Sequence, residues 1–114
     1  MSDKTRKELQ AQYKEREVIG GVYVIRNLAS NRLLVEATAD LQGIKNRFSF
    51  SQKTGSCVYQ KLQKDWMASG GDGFALEVLE ELGKGEAQTQ AEFKADIDIL
   101  KDMWLEKLSG ENFY

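Results

Sequence analysis

Histidine is absent from this 114-residue chain, proline is absent too, and cysteine occurs once. Without histidine the chain lacks the commonest general base, the commonest transition-metal ligand and every Ser/His or Cys/His catalytic arrangement. Any catalysis must draw on carboxylates, lysine, tyrosine or the thiol. The lone Cys57 cannot close an internal disulfide and is expected as a small buried or half-buried thiol rather than a nucleophile. No apolar run approaches the roughly 20 residues that span a bilayer, and the charged stretch Ser2 to Glu17 lacks the apolar segment of a secretory signal. The expectation is a cytoplasmic protein with no membrane partner. A surplus of cations is also missing: the formal net charge of -2 is unpromising for nucleic acid, whose binding rests on neutralising phosphates.

What is present suits one globular domain with a modest core, since 41% of the residues are hydrophobic and 10% aromatic. Charge is unevenly spread. Between Asp40 and Phe74 five cations (Lys45, Arg47, Lys53, Lys61 and Lys64) face three acids, whereas from Ala75 to Tyr114 four cations face ten acids. A weakly basic middle therefore opposes an acidic final third. Those five cations are the candidate nucleic-acid contacts, and solvated helix faces are the plainer reading.

The organising stretch is Gly21 to Thr38, two β-branched and aliphatic runs joined by a polar turn from Asn27 to Asn31. Period-two geometry puts Val22 and Val24 on one face and Tyr23 and Ile25 on the other; Leu33, Val35 and Ala37 likewise oppose Leu34, Glu36 and Thr38. Both faces are largely apolar, which predicts a hairpin covered on both sides. Upstream, Thr5-Arg6-Lys7-Glu8 has capping-box form and predicts a mostly polar helix over Thr5 to Glu17, ended by Gly20-Gly21. Downstream, Asp40 offers an N-cap to a helix with Leu41, Ile44 and Phe48 on one face, followed by a polar loop from Ser49 to Ser56. Val58, Leu62 and Trp66 predict a third helix to Ala68. Phe74 to Glu80 reads as a third strand, and Gln90 to Leu108 as the last helix, its Phe93, Ile97, Leu100, Trp104 and Leu108 lying within about 80° of arc. The tail Ser109 to Tyr114 reads as loosely held. This order of elements predicts a small α/β (α+β) sandwich with a three-stranded, mostly antiparallel sheet flanked by helices.

The local wording carries a resemblance. Gly21-Val22-Tyr23 and Leu34-Val35-Glu36 stand where GIY-YIG nucleases keep their two signature tripeptides. Thr38-Ala39-Asp40-Leu41 resembles the segment after the second tripeptide. Tyr59-Gln60-Lys61-Leu62-Gln63-Lys64-Asp65-Trp66 is similar to a helix of the phage homing-endonuclease branch, as are Gly71-Asp72-Gly73-Phe74 and Trp104-Leu105-Glu106-Lys107-Leu108 to later segments. The resemblance spans Gly21 to Leu108 and implies a GIY-YIG endonuclease-like domain over residues 19–110, preceded by a helical extension over residues 1–18.

Active members of that family use a tyrosine near the nucleophilic water, a second tyrosine, a phosphate-binding arginine and a glutamate that holds one divalent metal. Position by position, the first tyrosine is kept as Tyr23. The second becomes Leu34, the glycine of its tripeptide Glu36, the arginine Ile44, a nearby histidine Phe48 and the metal glutamate Lys101. Arg47 lies about 60° around its helix from Ile44, and Asp102 about 160° from Trp104, on the solvent side. The resemblance thus implies a degenerate nuclease site with no metal and no cofactor, in which Lys101 and Glu36 form an ion pair across the old site. The domain is expected to bind DNA weakly or another protein. The alternative is a divergent DNA endonuclease that uses magnesium with Tyr23, Arg47 and Glu36.

Overall fold

The computed structural model describes residues 19–57 and 59–114. The predicted N-terminal helix and Val58 lie outside these residues. Three strands form one sheet in the order β2-β1-β3, with β1 (Ile19–Asn27) in the centre, β2 (Leu33–Thr38) on one side and β3 (Phe74–Gly83) on the other. Both pairings are antiparallel. Three α-helices follow the hairpin: α1 (Leu41–Thr54), α2 (Gln63–Ser69) and α3 (Gln90–Lys107).

The sheet is covered on both faces, as the double apolar alternation predicts. Tyr23, Ile25 and Leu34 pack with Leu41 and Phe48 of α1, with Leu62, and with Trp66 of α2. Val22, Val24, Leu33 and Val35 pack on the other face, against Leu100 and Trp104 of α3 and against Leu108 and Phe113. Trp66 stacks on Phe74 at 5.0 Å between centroids and meets Phe48 edge-on at 5.9 Å. Each such large side chain contributes about 1.5 to 3 kcal/mol when fully buried. Trp104 stays half-buried, its indole N–H donating to Glu80 Oε1 at 2.9 Å and tying α3 to β3.

Several boundaries differ from the sequence expectation. Gly20 and Gly21 do not release the chain into a strand; they lie within β1, which begins at Ile19 and pairs as far as Gly83. They are glycines because other backbone comes too close for a side chain: a Cβ at Gly20 would stand 2.5 Å from Thr38 O, and one at Gly21 would collide with Glu80 O beside the bulge between Val22 and Tyr23. The predicted loop Ser49 to Ser56 is helical to Thr54, where Gly55 closes α1 in the left-handed conformation. Its polar side chains have partners the sequence does not reveal: Gln52 Nε2 donates to Gly71 O and Phe74 O, both at 3.1 Å. The predicted helix from Val58 to Ala68 is shorter. Tyr59 is extended, and a single 3-10 turn over Gln60–Leu62 leads into α2.

The hairpin turn rests on Asn27, whose side-chain oxygen accepts from the amides of Ala29 and Ser30 at 3.0 and 3.3 Å, and on Asn31, which takes a left-handed φ of 59°. Asparagine tolerates that conformation better than most residues. The tail is the largest departure, being strapped to the hairpin rather than loose. Leu33 N donates to Asn112 O at 2.8 Å and Tyr114 N to Leu33 O at 2.9 Å, so the tail satisfies backbone groups that an edge strand leaves open. Tyr114 Oη donates to Asp65 Oδ2 at 2.7 Å and accepts from Asn27 Nδ2 at 2.8 Å.

Two substitutions check these contacts by urea unfolding. Gly21→Ala should lose about 1 to 3 kcal/mol, the range for forcing a methyl group into packed structure. Tyr114→Phe should lose about 1 kcal/mol through its two hydrogen bonds, and a loose tail would show no change.

Candidate functional site

The site is built around Tyr23 because β1 is the central strand. Its neighbour across β2 is Glu36, and across β3 it is Val78. A directly opposed pair in an antiparallel ladder shares a face, so the Glu36 carboxylate and the Tyr23 phenol lie on the same side of the sheet. Tyr23 is 2% exposed. Its hydroxyl meets the hydroxyl of Tyr59 at 2.8 Å, with either oxygen able to donate. Tyr59 comes from the extended residue ahead of the 3-10 turn, and its carbonyl accepts from Cys57 Sγ at 3.3 Å.

Sequence reading missed Tyr59 as a site residue. It stands in the segment that reads as a helix, and nothing local signals that its ring turns back onto β1. The consequence is that a second hydroxyl stands beside Tyr23, from a different element than the strand that carries Leu34. Leu34 and Phe48 are both buried, and Ile44 packs half-buried against the same cluster. Three positions that the resemblance reserves for polar chemistry are therefore part of the core.

Glu36 and Lys101 come together as expected, with Lys101 Nζ 3.9 Å from Glu36 Oε2. Their side chains are 35% and 31% exposed, so water screens the pair and its net contribution to stability is small. Lys101 is carried by α3, on the opposite face of the sheet from Tyr23, and it reaches Glu36 because β2 is an edge strand. Arg47 is exposed on α1, and its positive charge acts on both tyrosine hydroxyls, as does the negative charge of Glu36 in the opposite sense. The site thus brings two phenols and one carboxylate together, with the Lys101 ammonium 3.9 Å from that carboxylate. Asp102 is exposed, as its helical position predicts.

Among the described residues no group of three or more His, Cys, Asp or Glu side chains converges, and Glu36, the carboxylate beside the tyrosine pair, already faces an ammonium. The five basic candidates are exposed, and three of them line cavities. Lys45 lines a cavity of about 390 Å³ with Phe48, Gln52, Phe74 and Val78. Lys61 and Lys64 line another, of about 300 Å³, with Arg32, Asp65 and Tyr114. Lys53 is exposed in the last turn of α1.

Burial, and then the hydrogen bond to Tyr59, push the Tyr23 hydroxyl well above the ordinary phenol range; burial likewise raises Tyr59. Both are neutral across physiological pH. A group whose pKa is raised by folding stabilises the native state fully below its unfolded value, about 10 for tyrosine, and that stability is lost as pH rises further. Denaturant unfolding should therefore show a loss of stability above about pH 10 that is shallower in Tyr23→Phe. An identical alkaline slope in both proteins would show that Tyr23 is not the group responsible.

No protein-family model matches the sequence, and no curated protein matches it significantly. Among solved structures the chain is similar to a mutant form of the catalytic domain of intron endonuclease I-TevI, with a TM-score of 0.57 and 23% identity over 79% of this chain and 84% of that one. It is similar also to the catalytic domain of homing endonuclease I-TevI, with a TM-score of 0.56 and 21% identity over 82% of this chain and 94% of that one. Identity at this level speaks for shared architecture and leaves activity to be argued from the site. The three-stranded antiparallel sheet and its flanking helices give this chain a GIY-YIG-like fold, that of the I-TevI catalytic domain.

Proposed function

We propose that this chain is a GIY-YIG-like domain that no longer cleaves and works as a module that binds nucleic acid. The observation that carries the reading is the Lys101–Glu36 contact at 3.9 Å. Phosphodiester hydrolysis on this fold needs an anionic ligand to place a cation and a cationic side chain to offset developing charge. Here the ligand position on α3 holds an ammonium, and the neighbouring carboxylate is turned toward it. The phosphate-binding position holds Ile44, which packs against the core.

What the fold retains is a set of cations suited to phosphates. Lys45, Arg47, Lys53, Lys61 and Lys64 are all exposed, on α1 and on the turn of helix leading into and starting α2. With a net charge of -2 for the whole chain, the attraction is local and modest. Binding is therefore weak and strongly dependent on salt, since each neutralised phosphate releases counterions.

A second reading, a divergent metal-dependent nuclease, draws on the Tyr23–Tyr59 hydroxyl pair at 2.8 Å with Arg47 nearby. It requires Glu36 to leave Lys101 for a metal.

Supercoiled plasmid incubated with magnesium or manganese should stay uncut. Nicking by the wild type that both Tyr23→Phe and Glu36→Gln abolish would establish the nuclease reading instead. In parallel, anisotropy of labelled single- and double-stranded DNA should show binding at low salt that fades as salt rises. A chain that leaves DNA alone even at low salt overturns the nucleic-acid reading and points to a protein partner.

A further inference from the structure

We propose that Arg32, Lys61 and Lys64 form a phosphate-binding pocket at the turn end of the hairpin, separate from the Tyr23–Glu36 site. It rests on the nucleic-acid reading only for the source of the phosphate. The pocket, of about 300 Å³, is lined by these three cations, by Asp65 and by Tyr114. Tyr23 pairs with Glu36 and Arg26 with Leu33, so the two sites are displaced by three residues along the ladder, roughly 10 Å at 3.4 Å per residue.

The arrangement is organised for an anion. The Arg32 guanidinium lies 4.3 Å from the centroid of the Tyr114 ring, which holds a long side chain in one orientation. Part of the entropy of ordering it is thereby given up on folding rather than on binding. Its ion pair with Asp65 measures 3.9 Å, beyond hydrogen-bonding range, so the guanidinium donors are not spent there. The same Asp65 Oδ2 instead accepts from Tyr114 Oη at 2.7 Å and lies 3.4 Å from Asn27 Nδ2. The carboxylate is thus engaged by neutral donors while the arginine fork remains available.

Lys61 and Lys64 stand three apart, across the 3-10 turn and the start of α2, and reach the same pocket. Neither forms an ion pair among the described residues, where the pairs are Arg26–Glu77, Arg32–Asp65 and Lys101–Glu36. Three cations against one acid leave the pocket positive within a chain that is negative overall. An arginine fork flanked by two ammonium groups matches the three peripheral oxygens of a phosphate. The larger cavity beside Lys45 is lined mainly by Phe48, Phe74, Leu76 and Val78 and offers a phosphate one cation.

The occupant is a phosphate group, either in a nucleic-acid backbone or free in solution, and one experiment separates the two. Anisotropy of a short labelled duplex is measured over a range of salt with the wild type, with the combined Arg32→Gln, Lys61→Gln and Lys64→Gln variant, and with Arg32→Lys. Amide NMR spectra are recorded in parallel during titration with inorganic phosphate. The triple variant should bind DNA about tenfold more weakly, with the slope of log K against log salt reduced by about 1 for each phosphate that the variant no longer neutralises. Arg32→Lys should keep the slope and lose part of the affinity, because it retains charge without the fork. Thermal unfolding of each variant checks that the fold is kept.

If the wild type ignores DNA while inorganic phosphate shifts the amides of Arg32, Lys61 and Lys64, the pocket stands as a site for free phosphate and the nucleic-acid reading falls. If the triple variant binds DNA with the wild-type slope and inorganic phosphate leaves those amides unshifted, the pocket is overturned and the nucleic-acid reading survives. If neither DNA nor inorganic phosphate shifts those amides, the pocket is overturned.

Discussion

Everything in this molecule is referred to one strand that is paired on both edges and buried on both faces. Val22, Tyr23, Val24 and Ile25 of β1 are each no more than 2% exposed. Four consecutive residues at that burial need apolar cover above and below, so α1 and α2 must sit on one side and α3 on the other. Strand pairing adds its own demand. The β1–β3 ladder runs from Ile19 to Asn27 with one bulge, and it brings Glu80 backbone so close to Gly21 that only glycine fits. A glycine that looks like part of a catalytic signature thus has a packing reason to be there.

The candidate site lies on that central strand, where Glu36 of the edge strand β2 stands opposite Tyr23. Tyr23 is too deeply placed to meet water alone, and its hydroxyl is answered by Tyr59 from a segment 36 residues away. Around this pair charges have changed places. The carboxylate sits on the hairpin at Glu36 and the cation on α3 at Lys101, where the resemblance implies a carboxylate on the helix. The two opposite charges lie 3.9 Å apart. Screening keeps the contact modest in energy, and at 3.9 Å it is an attraction between charges rather than a hydrogen bond.

At the far end of the hairpin, Asn27 joins three parts of the chain. Its carbonyl oxygen organises the turn, and its amide group reaches Tyr114 of the tail and Asp65 of α2. The tail in turn lies along Leu33 and covers part of an edge strand. Arg32 over the Tyr114 ring belongs to this same assembly, which is why a cation on a turn has a defined position.

Much of this was legible in the chain itself. Double alternation over Gly21 to Thr38 determined a two-sided hairpin, and the spacing of Phe93, Ile97, Leu100 and Trp104 determined a helix with one buried face. These follow from short-range periodicity, which depends only on a residue's neighbours in sequence; the expectation of Lys101 near Glu36 came from the resemblance instead. The helical reach of α1 to Thr54, the attachment of the tail, the turn of Tyr59 onto Tyr23 and the gathering of Arg32 with Lys61 and Lys64 were decided only by tertiary structure. Each depends on hydrogen bonds or charges between residues 19 to 87 positions apart, such as Gln52 with Gly71 and Asn27 with Tyr114. No local pattern encodes such a pairing, because its energy exists only once the sheet and helices have brought the partners into contact.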